Sequence, residues 1–317
     1  MRAIPRLIDA IRGALIGVAE IIPGVSGGTV ALIVGVYETL IDGAGNVVRG
    51  VVHLAVDPVR GRGTAEARRY FSLVPWGVML PVGVGMLLAV LIAARLLAPL
   101  VEDHPVESRA FFSGLILVSI LVPARMVGGR WGLREWVPAI LAAVAAFVLT
   151  AIPPASNDDP ALWMVTAAAA VAICALVLPG VSGSFILLTL GLYEPTLHAV
   201  NDRDLPYIAA FAIGAILGLG AFVQVLRWLL HHRRRLTLAI MTGLMAGSLR
   251  ALWPWQSEDG ALQSPSEAGP AAGLFVLGAL VVLGLLMVET VLVRRRLATG
   301  TETLPAHADD DHRPTRS

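Results

Sequence analysis

The sequence predicts an all-α integral membrane protein whose two halves form an inverted-topology repeat. Three observations lead there. The 317 residues are 56% hydrophobic and only 15% charged, with a mean hydropathy of +0.75. A Pro-Gly-Val-Ser-Gly motif at Pro23–Gly28 recurs at Pro179–Ser184, and each copy lies inside an apolar stretch. Arginine-rich loops also alternate with acidic ones along the chain.

Several apolar runs approach the length of about 20 residues that a helix needs to cross a bilayer. The runs are continuous and rich in Ala, Leu and Val, which favours helices over a barrel of alternating strands. The predicted spans lie near 74–100, 110–123, 136–153, 207–230, 236–253 and 272–293. Two further apolar segments, 7–41 and 162–200, are interrupted by the repeated motif.

Loop charge predicts the orientation of these segments. Arginines cluster before the first interrupted segment and in loops near 49–69, 125–134, 233–235 and 294–296. The remaining loops are mostly acidic. Because arginine-rich loops stay in the cytoplasm, both ends of segment 7–41 lie on the cytoplasmic side, and we expect both chain termini there as well.

A segment that enters and leaves on one face is a re-entrant hairpin. Each half is therefore predicted to be one re-entrant helical hairpin plus three transmembrane helices, and three crossings invert the second half. The halves are 1–156, with a cytoplasmic loop at about 42–73, and 157–298. The polar tail 299–317 is expected to be disordered and cytoplasmic. Alternatively, each interrupted segment crosses the membrane as one discontinuous helix.

The repeated motif has the chemistry of a helix break. Pro23 and Pro179 end a half-helix, and Gly24 and Gly180 permit the turn that follows. The Ser26 hydroxyl is predicted to cap the next half-helix. A helix that begins inside the membrane presents free N–H groups and a positive dipole end, which suits an anion.

The sequence therefore predicts a phosphate or carboxylate site between the two breaks. An arginine in an otherwise apolar helix, Arg250, is added because guanidinium binds phosphate well. The candidate phosphate ligands are Ser26, Gly27, Gly28, Thr29, Ser182, Gly183, Ser184 and Arg250. The alternative is that the small residues serve only close helix packing.

Ionisable residues within apolar runs are costly, at about 2.5–3.5 kcal/mol each on insertion scales. Glu20 lies three residues before Pro23 and has no acidic counterpart in the second half, where Leu176 stands. It is a candidate for coupling to protons or sodium, or a charge partner for an arginine such as Arg109. A purely structural salt bridge is the competing interpretation.

Enzyme interpretations find little support. The seven histidines lie in loops or at rims, and none has metal-ligand spacing within a span. Ser26 and Ser182 have no histidine nearby in sequence to act as a base. We expect no catalytic residue, metal, cofactor or nucleic-acid partner.

Four sequence blocks carry a family resemblance: Gly17–Thr29, Gly35–Glu38, Pro179–Ser184 and Gly243–Trp255. With these blocks in order over about residues 5–295, the chain resembles the bacterial polyprenyl-phosphate transporter family, long catalogued as domain-of-unknown-function family 368. The resemblance implies a multi-pass protein of the bacterial inner (plasma) membrane. Its partners would be the bilayer and a polyprenyl-phosphate lipid.

The resemblance also implies a function. The protein would be a flippase that moves undecaprenyl phosphate from the outer to the inner leaflet, for recycling in cell-wall biosynthesis. An ion-coupled transporter of a small anionic solute is the alternative, and an envelope-lipid enzyme or scaffold is a third class. Prenyl chain length, coupling ion and oligomeric state are not predicted.

Overall fold

The computed structural model describes residues 3–21, 26–61, 63–153, 160–257, 260–266 and 268–298. Within these ranges the chain is helical and has no β-strand. Residues 22–25 include the predicted break at Pro23 and Gly24, which therefore lies outside the described residues, as does the tail 299–317.

The first half contains eight helices in the described ranges: α1 (Ala3–Ile21), α2 (Gly27–Ile33), α3 (Tyr37–Val56), α4 (Ala65–Ser72), α5 (Trp76–Asp103), α6 (Pro105–Ser119), α7 (Leu121–Met126) and α8 (Leu133–Leu149). The second half contains α9 (Leu162–Val177), α10 (Gly183–Thr189), α11 (Tyr193–Asn201), α12 (Leu205–His232), α13 (Arg234–Ser248), a 3-10 turn (Leu249–Leu252) and α14 (Ala268–Ala298).

The predicted spans match the observed helices closely, and the segment predicted as a cytoplasmic loop at about 42–73 contains helices. Helix α3 continues to Val56, and α4 occupies much of the rest. Helix α3 is hard to predict from sequence, because Gly43, Gly45 and Gly50 have low helix propensity. These glycines nevertheless lie on the buried face of α3, so packing against neighbouring helices stabilises the segment.

The two halves repeat their helix contacts. Helix α1 packs along α5 as α9 packs along α12, and α6 packs along α14 as α13 packs along α8. Glycine makes the latter contacts tight: a Cβ on Gly114 would collide with the Phe275 carbonyl, and one on Gly243 with the Ala139 carbonyl. Small residues at a helix crossing allow such close approach.

Two helical stretches of the described chain are long and apolar enough to cross a membrane: Pro105–Met126 and Leu205–His232. The number rises to four if two bent pairs are each counted as a span. In one pair, the chain bends by 118° between α2 and α3. In the other, it bends by 69° between α4 and the first part of α5. Large apolar side chains also face outward, such as Leu141, 65% exposed, and Ile216, 69% exposed. A lipid environment accounts for this exterior.

Candidate functional site

Helices α1 to α3 around the first motif are called the first hairpin below, and helices α9 to α11 around the second motif are called the second hairpin. Polar side chains of the first hairpin bond to the broken backbone of the second. The Ser26 hydroxyl donates to the Leu178 carbonyl at 3.1 Å, and the Tyr37 hydroxyl donates to the Val177 carbonyl at 3.0 Å. The Gly180 N–H donates to Thr29 Oγ1, also at 3.0 Å. Backbone groups that leave a helix inside a membrane need such partners. Three polar side chains around α2 therefore stabilise the break between α9 and α10.

The predicted capping role of Ser26 is wrong. Ser26 occupies the N-cap position of α2 with an extended backbone, yet its hydroxyl makes no bond to its own helix. The hydroxyl instead bonds to Leu178 of the second hairpin. The Glu20 carboxyl group instead bonds to the start of α2, where it accepts a hydrogen bond from the backbone N–H of Gly27.

The equivalent place in the second hairpin is apolar. A Cβ on Gly27 would collide with the Glu20 carboxylate, whereas a Cβ on Gly183 would lie 3.3 Å from the Leu176 Cβ. Leu176 thus holds the position beside α10 that Glu20 holds beside α2. The start of α2 therefore has a carboxyl group next to it, and the start of α10 has an apolar side chain.

Close packing at the second break depends on Gly180. Its φ is +86°, in the region that favours glycine, and an added Cβ would lie 2.6 Å from the Met245 Cα. Pro179 beside it is buried. In the first hairpin, an added Cβ on Gly28 would lie 2.8 Å from the Val177 carbonyl. Each hairpin therefore approaches neighbouring backbone where a side chain would not fit.

The second hairpin presents hydroxyl groups at its tip. The Ser182 and Ser184 Oγ atoms lie 2.9 Å apart, with Ser184 exposed and Ser182 partly buried. Ser182 lines a cavity of about 20 Å³ together with Thr150, Phe185 and Ser248. This volume has room for about one water molecule. Ser182 therefore faces a small cavity at the start of α10, and the exposed Ser184 lies beside it.

Arg250 lies beside this cavity, in the 3-10 turn that follows α13. Its guanidinium donates to the carbonyls of Thr150 and Gly260, the latter at 3.2 Å. It also lies 5.7 Å from the centroid of the Phe147 ring. None of the described carboxylates forms an ion pair with it. Among the described residues, the groups that hold this arginine in place are neutral.

The structure therefore brings together only part of the predicted site. Ser182 and Arg250 are linked through Thr150, which lines the cavity and binds the arginine. Ser26 and Thr29 are 2% and 0% exposed, and their hydroxyls are engaged by the second break. Arg109 is half-buried on α6, and no described residue forms an ion pair with it or with Glu20.

Sequence reasoning missed an ion-pair network that joins α3 to α12 and α13. Glu38 pairs with Arg234 at 2.8 Å, and Asp42 pairs with Arg227 at 2.9 Å. Arg227 also donates to Asn46 Oδ1 at 2.8 Å. The available signal was the presence of opposite charges, Asp42 and Arg227, at the ends of two apolar segments. Such residues usually pair with each other.

Helices that break inside an apolar bundle, with hydroxyls and a cation beside the breaks, are typical of membrane transporters. The fold and this site place the protein in that class.

Comparison with known proteins identifies the family. The chain belongs to the VCA0040-like, undecaprenyl phosphate translocase-like family, whose model matches residues 16–268. It is 35% identical over 246 residues to a polyprenyl-phosphate transporter of Vibrio cholerae, covering 78% of this chain and 77% of that protein. It is 26% identical over 266 residues to a polyprenyl-phosphate transporter of Staphylococcus aureus, covering 78% and 86%. No solved structure matches the chain. The family resemblance seen in the sequence motifs is confirmed.

Proposed function

We propose that this protein moves polyprenyl phosphate from the outer to the inner leaflet of a bacterial plasma membrane, which returns the lipid to cell-wall synthesis. Family membership and the two named relatives support the substrate. The direction is our inference from the use of the lipid on the cytoplasmic side. Such a substrate pairs one phosphate with a long apolar chain, so it needs a polar site only for its headgroup.

The phosphate binds at the tip of the second hairpin in this proposal. The observation that carries it is the junction at Thr150, which connects the Arg250 guanidinium to the cavity that Ser182 lines. Arg250 would supply charge-assisted hydrogen bonds. Ser182 and Ser184 would donate hydroxyl bonds, and the buried Gly183 would let α10 begin close to the Ala172 carbonyl.

The first hairpin supports this site in the proposal. Ser26 and Thr29 fix the backbone around Gly180 through their hydrogen bonds. Gly27 and Gly28 give the Glu20 carboxylate and the Val177 carbonyl the space they occupy. These four residues would therefore act on phosphate binding by positioning the second tip.

The repeat and its orientation are part of the same proposal. The recurring helix contacts support two equivalent halves, 1–156 and 157–298. The clustering of arginines supports cytoplasmic termini and loops, and hence an inverted pair of re-entrant hairpins. The halves would rock about the junction of the hairpins to expose the phosphate to one side and then the other.

Glu20 is proposed as the coupling residue for protons or sodium. It is a carboxylate beside the first break, and its described partner is a backbone N–H. Transport driven by a proton or sodium gradient, and lost in Glu20→Gln, would support this role. Gradient-independent transport by the wild type would contradict it.

The decisive experiment is leaflet-resolved transport of polyprenyl phosphate by the purified protein in proteoliposomes. We expect movement of chemically unchanged lipid between leaflets, faster than in protein-free vesicles. Altered product would indicate an enzyme. Transport of a small organic phosphate without movement of the lipid would indicate the solute transporter instead.

A further inference from the structure

An apolar groove lies on the side of the bundle where α1 and α2 face α6 and α14. Its volume is about 160 Å³, and every side chain that lines it is apolar. The lining includes Leu15 and Val18 of α1, Val30 of α2, Leu115 of α6 and Val281 of α14. The site built around Arg250 and Ser182 does not use this groove.

The groove opens outward and is closed at the back. Leu15 and Val281 are each 41% exposed at its mouth, whereas Ile33 and Val282 are buried behind them. A groove of about 160 Å³ has room for several carbon atoms. Its shape and chemistry suit a stretch of hydrocarbon chain that enters from the lipid.

The groove is continuous with the turn that carries Arg250. Val18, Val30 and Leu115 line the groove and also pack around a buried cluster that contains Leu252, with Leu249 beside it. The Ser113 hydroxyl fixes this turn to α6, because it donates to the Leu252 carbonyl at 2.6 Å. Leu249 and Leu252 flank Arg250 in sequence. The residues around Leu252 therefore lie between the apolar groove and the turn that carries Arg250.

We propose that this groove binds the polyprenyl chain of the lipid whose phosphate binds near Arg250. The proposal rests on the proposed function and adds a subsite for the chain. An amphiphile with one anionic head and a long isoprenoid tail matches a cation and an apolar groove that share a wall. The chain leaves bilayer lipid for the groove, so close packing, not escape from water, provides the preference.

The test uses two neighbouring residues of α14. Val281→Trp fills the mouth of the groove. Leu280→Trp adds the same ring on the same helix, at a residue that is 57% exposed and lies outside the groove. Both variants and the wild type are reconstituted at equal amounts, and initial transport rates are measured over a range of polyprenyl-phosphate concentrations.

We expect Val281→Trp to raise KM severalfold, because the indole would occupy the space of the chain, and Leu280→Trp to leave KM unchanged. A second measurement uses polyprenyl phosphate with a diazirine in its chain, photolysed with the wild-type protein. The label should fall on peptides that contain Leu115 or Val281. A diazirine phospholipid, used as the comparison probe, should label them much less.

Equal KM values for the two tryptophan variants would overturn the proposal, as would equal labelling by the phospholipid. Failure of the proposed function has a different signature, namely no polyprenyl-phosphate transport by the wild type. The labelling pattern then still decides whether the groove binds the chain. If Val281→Trp does not fold, Val34→Phe, at the residue that follows α2, fills the groove and takes its place.

Discussion

The two hairpins carry one motif but place its side chains in different surroundings. Ser26 is 2% exposed and bonded across to the other hairpin, whereas Ser184 is exposed and bonds to Ser182. The tyrosines that follow differ in the same direction: Tyr37 is 4% exposed and Tyr193 is 38% exposed. The first hairpin is embedded in the protein, and the second has its tip accessible.

Divergence at two positions explains much of this difference. Thr29 accepts the Gly180 N–H, and its counterpart in the second hairpin is Phe185, which has no such group. Glu20 satisfies the start of α2, and its counterpart is Leu176. A duplicated break supplies the backbone geometry twice. The side chains around each break then differ, so that the first hairpin would support the second, and the second would bind the phosphate.

The largest effect on transport is expected when the second hairpin receives the carboxyl group that the first hairpin has at Glu20. Leu176→Glu should reduce polyprenyl-phosphate transport by at least about hundredfold. Two like charges about 4 Å apart repel by about 4 kcal/mol at an effective dielectric constant near 20, so the new carboxylate would oppose the phosphate. The measurement is the initial rate in proteoliposomes. Leu176→Gln is the control of equal size, and equal losses in both variants would contradict the electrostatic explanation.

Arg250→Ala should have the next largest effect, a loss of about tenfold to hundredfold in transport. Hydrogen bonds to a charged group contribute about 1.5–3 kcal/mol each. Arg250→Lys should recover only part of the rate. Lysine keeps the positive charge, but its single ammonium cannot reproduce the planar fork that reaches both Thr150 and Gly260. Arg109→Ala tests the other candidate arginine in the same assay. Normal rates in Arg250→Ala would remove this residue from the phosphate site.

Much of this architecture could be predicted from sequence. Hydropathy locates helices such as α12, because a long apolar run has few alternatives in a membrane. The repeated proline and glycine locate the second break for a similar reason, since Pro179 cannot continue a helix. Both signals are local, and they act on backbone conformation alone.

The partners at the hairpin junction could not be predicted in that way. Ser26 fits the pattern of a helix cap, and only the tertiary arrangement places the Leu178 carbonyl within reach of its hydroxyl. The full length of helix α3 was not predicted, because packing of its buried glycines against neighbouring helices stabilises it. Such packing leaves no pattern in the local sequence. Divergence between equivalent positions, such as Glu20 and Leu176, is visible in sequence. Its meaning depends on the contact with Gly27 that the fold provides.

Thr29→Val tests the supporting role of the first hairpin. The change keeps the shape but leaves the Gly180 N–H without its acceptor, which costs about 1–3 kcal/mol when the group is buried. We expect a lower midpoint of thermal unfolding, measured in detergent by tryptophan fluorescence. Thr189→Val is the control, because the Thr189 hydroxyl donates to a carbonyl of its own helix and its loss leaves no N–H unpaired. Equal midpoints for both variants would contradict the supporting role.

Ser184→Ala should have the smallest effect and the most specific one. Its hydroxyl is exposed and bonds to Ser182 within the same tip, so its removal should leave the unfolding midpoint unchanged. Transport should fall about two- to tenfold, the scale of one net hydrogen bond of about 0.5–1.5 kcal/mol. Ser26→Ala is the matched variant in the first hairpin, and there we expect a lower midpoint instead. If both serines changed only stability, the motif would have one role in both halves, and the division between a supporting and a binding hairpin would be wrong.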